Sequence, residues 1–384
     1  MNTGIPISRE ILASSRKDMP VRLLKHEVLV AVAVLGAVFL TGCQTAQAGG
    51  TVAGAEHRPE MLLNLPDYCN TPDAMAMSED GDIIMSVPNF NDPTYPGILV
   101  RITPEDEMSI FFPMPVHPET KRSGPMGLDF GPDGNLYVAD CQFFYDDDHA
   151  SRIVRVNMEG GEPVGSEVVA KGFNLSNAVK WKGDEMFVTE TTLGLSDQPE
   201  KSGVYRFSLS ELQGDEPVEL KPGLDDPHLL TTLETKPNPE DNLMGADGMC
   251  FDSEGNLYAG NFGDGALFRV TFDEKGNKEK REVVYRNNDV LPCVDGIYCD
   301  TSAGKIYITD SQQNAVHVYD ISADSLTKLW ENDDTDGSGG LLDQPCEPIV
   351  RDGELIVVNF DSPMPGLKNS NWDKPYSVSV IDLK

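Results

Sequence analysis

One short phrase, written six times, limits what this chain can become. Its clearest copy runs from Pro125 to Asp140: an apolar stretch, the turn Pro132-Asp133-Gly134, then the alternating run Leu136-Tyr137-Val138. It returns from Ala246 to Gly260 around the turn Ser253-Glu254-Gly255, and again from Val294 to Asp310. Weaker copies occupy Pro72–Val87, Ser176–Glu190 and Cys346–Phe360. The second residue of the copies is Asp73, Met126, Asn177, Asp247, Asp295 and Glu347, so the intervals are 53, 51, 70, 48 and 52 residues. A strand, a tight turn carrying Gly or Asp and a second strand make a hairpin. Hairpins returning roughly every fifty residues predict a radial array of four-stranded blades, and six copies predict six.

A third strand is expected after each hairpin, at Ile98–Ile102, Ile153–Val156, Val204–Leu209, Ala266–Val270, Val316–Tyr319 and Val378–Ile381. A fourth follows in the first five copies, as at Glu167–Ala170 and Glu282–Tyr285. The sixth copy runs out of chain at Lys384. Glu60–Leu65 is therefore predicted to supply its outer strand and close the ring, which removes two open sheet edges. The expectation is an all-β, six-bladed β-propeller over 59–384, its N-terminal strand closing the last blade. Long helical periodicity is confined to the N-terminus.

That N-terminus reads as an address. Val28–Leu40 is an apolar run of 13 residues, short for a membrane span, preceded by Arg22, Lys25 and His26. It ends in Leu40-Thr41-Gly42-Cys43, which resembles the lipobox of bacterial lipoproteins. The resemblance implies a signal peptide over 1–42, a lipidated Cys43 and a flexible tether over 43–58. Met19 is a candidate start, and an uncleaved membrane anchor is the alternative. Gln44 rather than Asp after the cysteine points to the outer membrane, facing the periplasm or the surface.

Beyond residue 42 the chain carries 25 basic and 60 acidic side chains, a net charge of −35. Nucleic acid is excluded as a partner at that charge. Solubility in a salty habitat accounts for it, and cation binding adds a second use. Six cysteines accompany Cys43. Cys250 and Cys299 fall inside inner strands and are expected to be packed. Cys293–Cys346, Cys69–Cys346 and buried free thiols all stay open.

In a propeller the first strand of each blade lines the axis, so equivalent residues at its start form a ring. Here the ring is Asp73, Met126, Asn177, Asp247, Asp295 and Glu347. Carboxylates so close raise one another's pKa or gather a cation. A hard-oxygen set without His or Cys selects Ca²⁺.

Ser176-Asn177-Ala178, Ala246-Asp247-Gly248-Met249 with Asn256-Leu257-Tyr258, and Val294-Asp295-Gly296 resemble the gluconolactonase/regucalcin/diisopropyl-fluorophosphatase superfamily over Pro59–Lys384. The resemblance implies one Ca²⁺ at the channel mouth, held at Asp73, Asn177 and Asp247, with Asp247 as base or nucleophile in lactone or ester hydrolysis. This chain departs from the pattern in Asp73 for Glu, Met126 for a second Asn and Ala178 for Gly. Glu347 is an added acid that can complete the metal shell. The phrase also resembles the NHL repeats of scaffold propellers. A non-catalytic propeller that binds a ligand or protein partner and uses Ca²⁺ structurally is therefore the alternative. A metal-free strictosidine-synthase-like propeller suits the acidic ring poorly.

Substrate choice is expected in the loops joining second to third strands, which emerge beside the ring. Met126, Asp295, Tyr145 and His149 are the candidate rim. His149, beside Asp146, Asp147 and Asp148, reads foremost as a loop histidine. One more loop, Asn332 to Asp343, has the spacing of an EF-hand but ends in Asp and has no flanking helices. A plain acidic turn into blade six is the expectation there.

Overall fold

The computed structural model describes residues 57–384 except 147–148, 196–199, 241 and 365. The expected signal segment, Cys43 and the expected tether up to residue 56 lie outside the described residues. Among those that are described, no helix is long and apolar enough to cross a membrane.

Six sheets follow the six copies of the phrase, and the chain is a six-bladed propeller. Each copy provides the inner two strands of its blade, as in Pro125–Phe130 with Leu136–Asp140 and Ala246–Phe251 with Leu257–Asn261. The last sheet is made from both ends of the chain. Glu60–Asn64 pairs antiparallel with Ser377–Asp382, matching Glu60 to Val380 and Asn64 to Ser377. Leu65 N donates to Tyr376 O at 2.8 Å, so the predicted closing strand is found, one residue shorter as a strand.

The long interval between Asn177 and Asp247 has a structural cause. A short helix, Leu209–Leu212, begins at a capping box in which Ser208 and Glu211 satisfy each other's backbone N–H. The excursion then lays Val218–Glu219 parallel against Ala170–Lys171, giving blade two a fifth strand.

Second strands are buried along almost their whole length because both faces of each blade pack on neighbours. Aromatic rings fill the wedges. Tyr137 meets Trp181 across blades two and three at 4.8 Å, and Phe187 meets Phe251 across blades three and four at 5.0 Å.

A polar residue near the end of each second strand has a defined task. Asn89, Asp140, Glu190, Asn261, Asp310 and Asn359 are all buried at or just past the ends of second strands. Several accept N–H groups from the segment leading into an inner strand. Asn89 Oδ1 takes Asn70 N at 3.0 Å, Asp140 Oδ1 takes Gly124 N at 2.7 Å, Glu190 takes Asn174 N at 3.1 Å and Asn359 Oδ1 takes Asp343 N at 3.0 Å. Buried backbone donors need such partners, and these caps hold the entry to each inner strand.

Candidate active site

Four of the six ring positions are β-bulges, while Asp73 and Asp295 lie just before the inner strands Met75–Met77 and Ile297–Asp300. In blade two Pro125 pairs with Asp140 but Leu128 with Val138, so Met126 and Gly127 together face one partner residue. The same slip occurs at Asn177-Ala178, Asp247-Gly248 and Cys346-Glu347. A bulge adds a residue and re-aims its side chain. At Asn177, Asp247 and Glu347 it is the local device that brings the side chain to the cavity. The glycine after the ring residue follows from crowding. A Cβ on Gly127 would run into the Asn177 carbonyl, one on Gly248 into the Asp295 carbonyl, and one on Gly296 into Glu347 Oε2. Without a Cβ, Gly248 N reaches Asp295 O and Gly296 N reaches Cys346 O, both at 2.9 Å. The ring is thereby tied from blade to blade.

Asp73, Asn177, Asp247, Asp295 and Glu347 line one cavity, together with Lys180 and Cys346. Its free space is about 10 Å³, room for a single water or ion. The four carboxylates are at most 8% exposed. Burial, then Asp295 and Glu347, hold Asp73 well above the usual carboxylate range, against a hydrogen bond from Cys346. Burial does the same to Asp247, reinforced by Asp295, Asp73 and Glu347 and opposed by a hydrogen bond to Asn177. Asp295 is pushed up to about 6 by burial, against the hydrogen bonds from Ser311 and Cys346. Burial lifts Glu347 to about 7, with Lys180 opposing.

Two members of this site carry no signal in the ring position. Lys180 lies three residues beyond Asn177 on the same strand, and its Nζ is 3.6 Å from Glu347 Oε1. Burial disfavours its charge, but Glu347 and Asp129 outweigh that and raise its pKa. Cys346 places its thiol 3.2 Å from Asp295 Oδ1 and 3.4 Å from Asp73 Oδ1, bridging blades one and five. All six described cysteines are free and buried, so neither candidate disulfide forms. Second-strand hydroxyls brace the ring from behind. Thr191 Oγ1 accepts from Asn177 Nδ2 at 3.4 Å and donates to Ala246 O at 2.7 Å, while Ser311 Oγ donates to Asp295 and, at 2.7 Å, to Pro345 O.

Met126 occupies a ring position but not the cavity. Its side chain is 6% exposed and packs in an apolar cluster with Tyr137, Cys141 and Val179, against Phe90 and Phe143. An apolar thioether gains nothing among carboxylates and turns to the aromatic side. Phe90, Phe143, Phe144, Tyr145 and Phe360 make a wall on the loops of blades one, two and six, with Phe90 centred 5.0 Å from Phe144, 5.8 Å from Tyr145 and 6.2 Å from Phe360. Phe144 is 39% exposed. Of the predicted rim, Asp295 is thus a cavity member and Tyr145 a wall member. His149 is half-buried at a left-handed φ of 55° next to Gly194.

The donor set suits a hard divalent cation: carboxylates and an amide around an ion-sized space, with Lys180 the sole cationic side chain on its lining. Among the described residues, no three His, Cys, Asp or Glu side chains stand ready around one point. The ring carboxylates engage Cys346, Ser311 and Lys180 instead.

No protein-family model and no curated protein matches the sequence. Solved structures do match in fold. A gluconolactonase of Xanthomonas campestris superposes with a TM-score of 0.51 at 14% identity, over 89% of this chain and 100% of that one. The luciferin-regenerating enzyme gives 0.53 at 11%, over 85% and 95%. A PQQ-bound aldose sugar dehydrogenase of Streptomyces coelicolor gives 0.53 at 14%, over 85% and 98%. The fold is that of the gluconolactonase-like six-bladed propellers. At these identities the likeness is one of fold.

Proposed function

We propose that this chain is a Ca²⁺-dependent hydrolase of lactones or related esters, exported and tethered to the membrane through Cys43. The observation that carries the reading is the ion-sized cavity in which Asp73, Asn177, Asp247, Asp295 and Glu347 converge. Four buried carboxylates facing one Lys leave an excess of negative charge that protons or a metal must offset. Asp73, Asn177, Asp247 and Glu347 would hold the ion, with Glu347 shared with Lys180. When bound, the cation supplies Lewis-acid polarisation of a carbonyl or phosphoryl oxygen.

The chain's own residues do the rest. Asp247, set on its bulge at the cavity, is the carboxylate placed to take a proton from an attacking water. Asn177, braced by Thr191, orients Asp247 through their hydrogen bond. With about 10 Å³ of free space the cavity admits no substrate, so the substrate rests on the rim. There the aromatic wall offers apolar faces to a lactone ring or acyl chain.

The test is metal content after gentle purification, paired with lactone hydrolysis with and without chelator. One Ca²⁺ at the ring and hydrolysis abolished by chelation are expected. Asn177→Ala should weaken Ca²⁺ affinity about tenfold or more without unfolding the domain, on the scale of losing a metal-site group. Calcium bound with no hydrolysis of any lactone or ester would leave the scaffold reading, which the withdrawal of Met126 from the cavity favours. No calcium bound at the ring would overturn both.

A further inference from the structure

A second set of carboxylates lies in the loops that lead into and out of blade six, apart from the ring. Asp343 and Asp361 are each 1% exposed and Asn369 is 2% exposed. Asp343 Oδ1, Asn369 Oδ1 and Asp373 Oδ1 are buried oxygens with no hydrogen-bond partner. Asp361 lies beside Asn369 and Asp373, and its charge reaches Asp343. Asn369 Nδ2 donates to Asp361 Oδ1 at 3.1 Å, and Asp373 N donates to Asp361 Oδ2 at 3.2 Å. Asp334 and Asp336 add their fields to Asp343, and Asp334 grips Ser370 through Oγ at 2.5 Å. The lysines nearby are committed elsewhere, Lys368 to Glu331 and Lys374 to Asp67.

Buried polar oxygens without a donor are costly, and charged ones more so. Burial followed by the neighbouring charges pushes Asp343 up to about 8, and burial pushes Asp361 to about 7. What such a set lacks is a positive partner. We propose that Asp343, Asp361 and Asn369, completed by Asp334, Asp336 and Asp373, bind a calcium-class divalent cation that ties the two loops of blade six together. The donors are all oxygen, which selects a hard cation that tolerates irregular geometry. The two buried acids provide a fixed base for the ion. Among the described residues no three of the acids meet around one point, and exposed Asp334 and Asp336 close the shell by moving in.

The EF-hand spacing of this stretch is misleading in one respect. Asn332, its first position, does not point inward. Its Oδ1 accepts Leu342 N at 3.0 Å and its Nδ2 donates to Leu342 O at 2.8 Å, stapling the loop shut. Ligands come instead from two loops. The place is consequential, because Gly340 of the first loop lies directly against Glu60 and Met61 of the closing strand, and Gly337 lies against Pro375 and Ser377 at the start of its partner. An ion here would clamp the seam where the ring is joined.

The test is calcium titration by calorimetry and thermal unfolding of the full chain, in wild type, Asp343→Asn and Asp361→Asn. Each variant should lose one calcium equivalent and most of the calcium-dependent rise in Tm, while lactone hydrolysis stays as in wild type. In chelator the variants should melt at or above wild type, because the amide needs neither to take up a proton nor to bury a charge on folding. Unchanged calcium equivalents and an unchanged calcium-dependent rise would overturn the site. So would a Tm loss equally large in chelator and in calcium, which marks a packing role.

Discussion

The channel ring and the seam cluster use the same side chains under different mechanical conditions. Asn177, Asp247 and Glu347 sit on bulges of inner strands, and the ring is tied blade to blade by Gly248 and Gly296 N–H groups. Its carboxylates find partners in Lys180, Cys346 and Ser311. The seam cluster sits on loops, and three of its oxygens find none. Rigid strands with tuned partners hold a fixed, ion-sized space suited to chemistry. Loops with unpaired acids suit a structural ion that orders them. On the proposed readings one set serves turnover and the other integrity, and each can be broken.

The largest effect is expected at Asp247. Asp247→Asn keeps the size and one oxygen but removes charge and basicity, and should lower kcat by about 10²–10³-fold. Its Tm in chelator should not fall, since the amide needs neither to take up a proton nor to bury a charge on folding. Equal loss of turnover in Asp361→Asn, measured in saturating calcium, would erase the distinction between the two clusters.

Next comes Lys180→Met. It leaves Glu347 buried without its partner and should cost about 1–3 kcal/mol of unfolding free energy at pH 8.5. At pH 5.5 the cost should shrink, because Glu347, lifted to about 7, is then protonated and needs no cation. Denaturant melts at the two pH values measure it, and a cost independent of pH would show that Lys180 acts by packing.

The last is a slope. Glu190 is lifted to about 8 by burial, and with Glu347, Asp343 and Asp361 it holds a proton when folded that the unfolded chain has already released. The folded state then binds more protons than the unfolded one between the ordinary carboxylate range and about pH 8. Stability of the metal-free protein should therefore be greatest at the acid end of that window and decline as pH rises through it. Calcium should flatten the decline through the seam acids, and Glu190→Gln should flatten it without calcium. Melts from pH 4.5 to 8.5 with and without calcium separate the two.

Much of this was legible in the residues alone. Six blades, the closing strand and the ring followed from one phrase and its period, because hairpin chemistry is local and a repeat places equivalent residues equivalently. What broke the repeat escaped. Lys180 has no counterpart at its level in the other copies, so nothing marked it as a ring partner. Met126 stood at a ring position, and its apolar side chain left for the aromatic wall. Cys346 was weighed for a disulfide and lies instead between Asp73 and Asp295. The seam acids come from loops 332–343 and 361–373, whose contact depends on how the last blade joins its two chain ends. Sequence determined the blade count and the acidic ring because those are properties of a repeating local pattern. Which acids are buried, which find a partner and which are left with none was decided by packing between distant segments, where desolvation and neighbouring charge act.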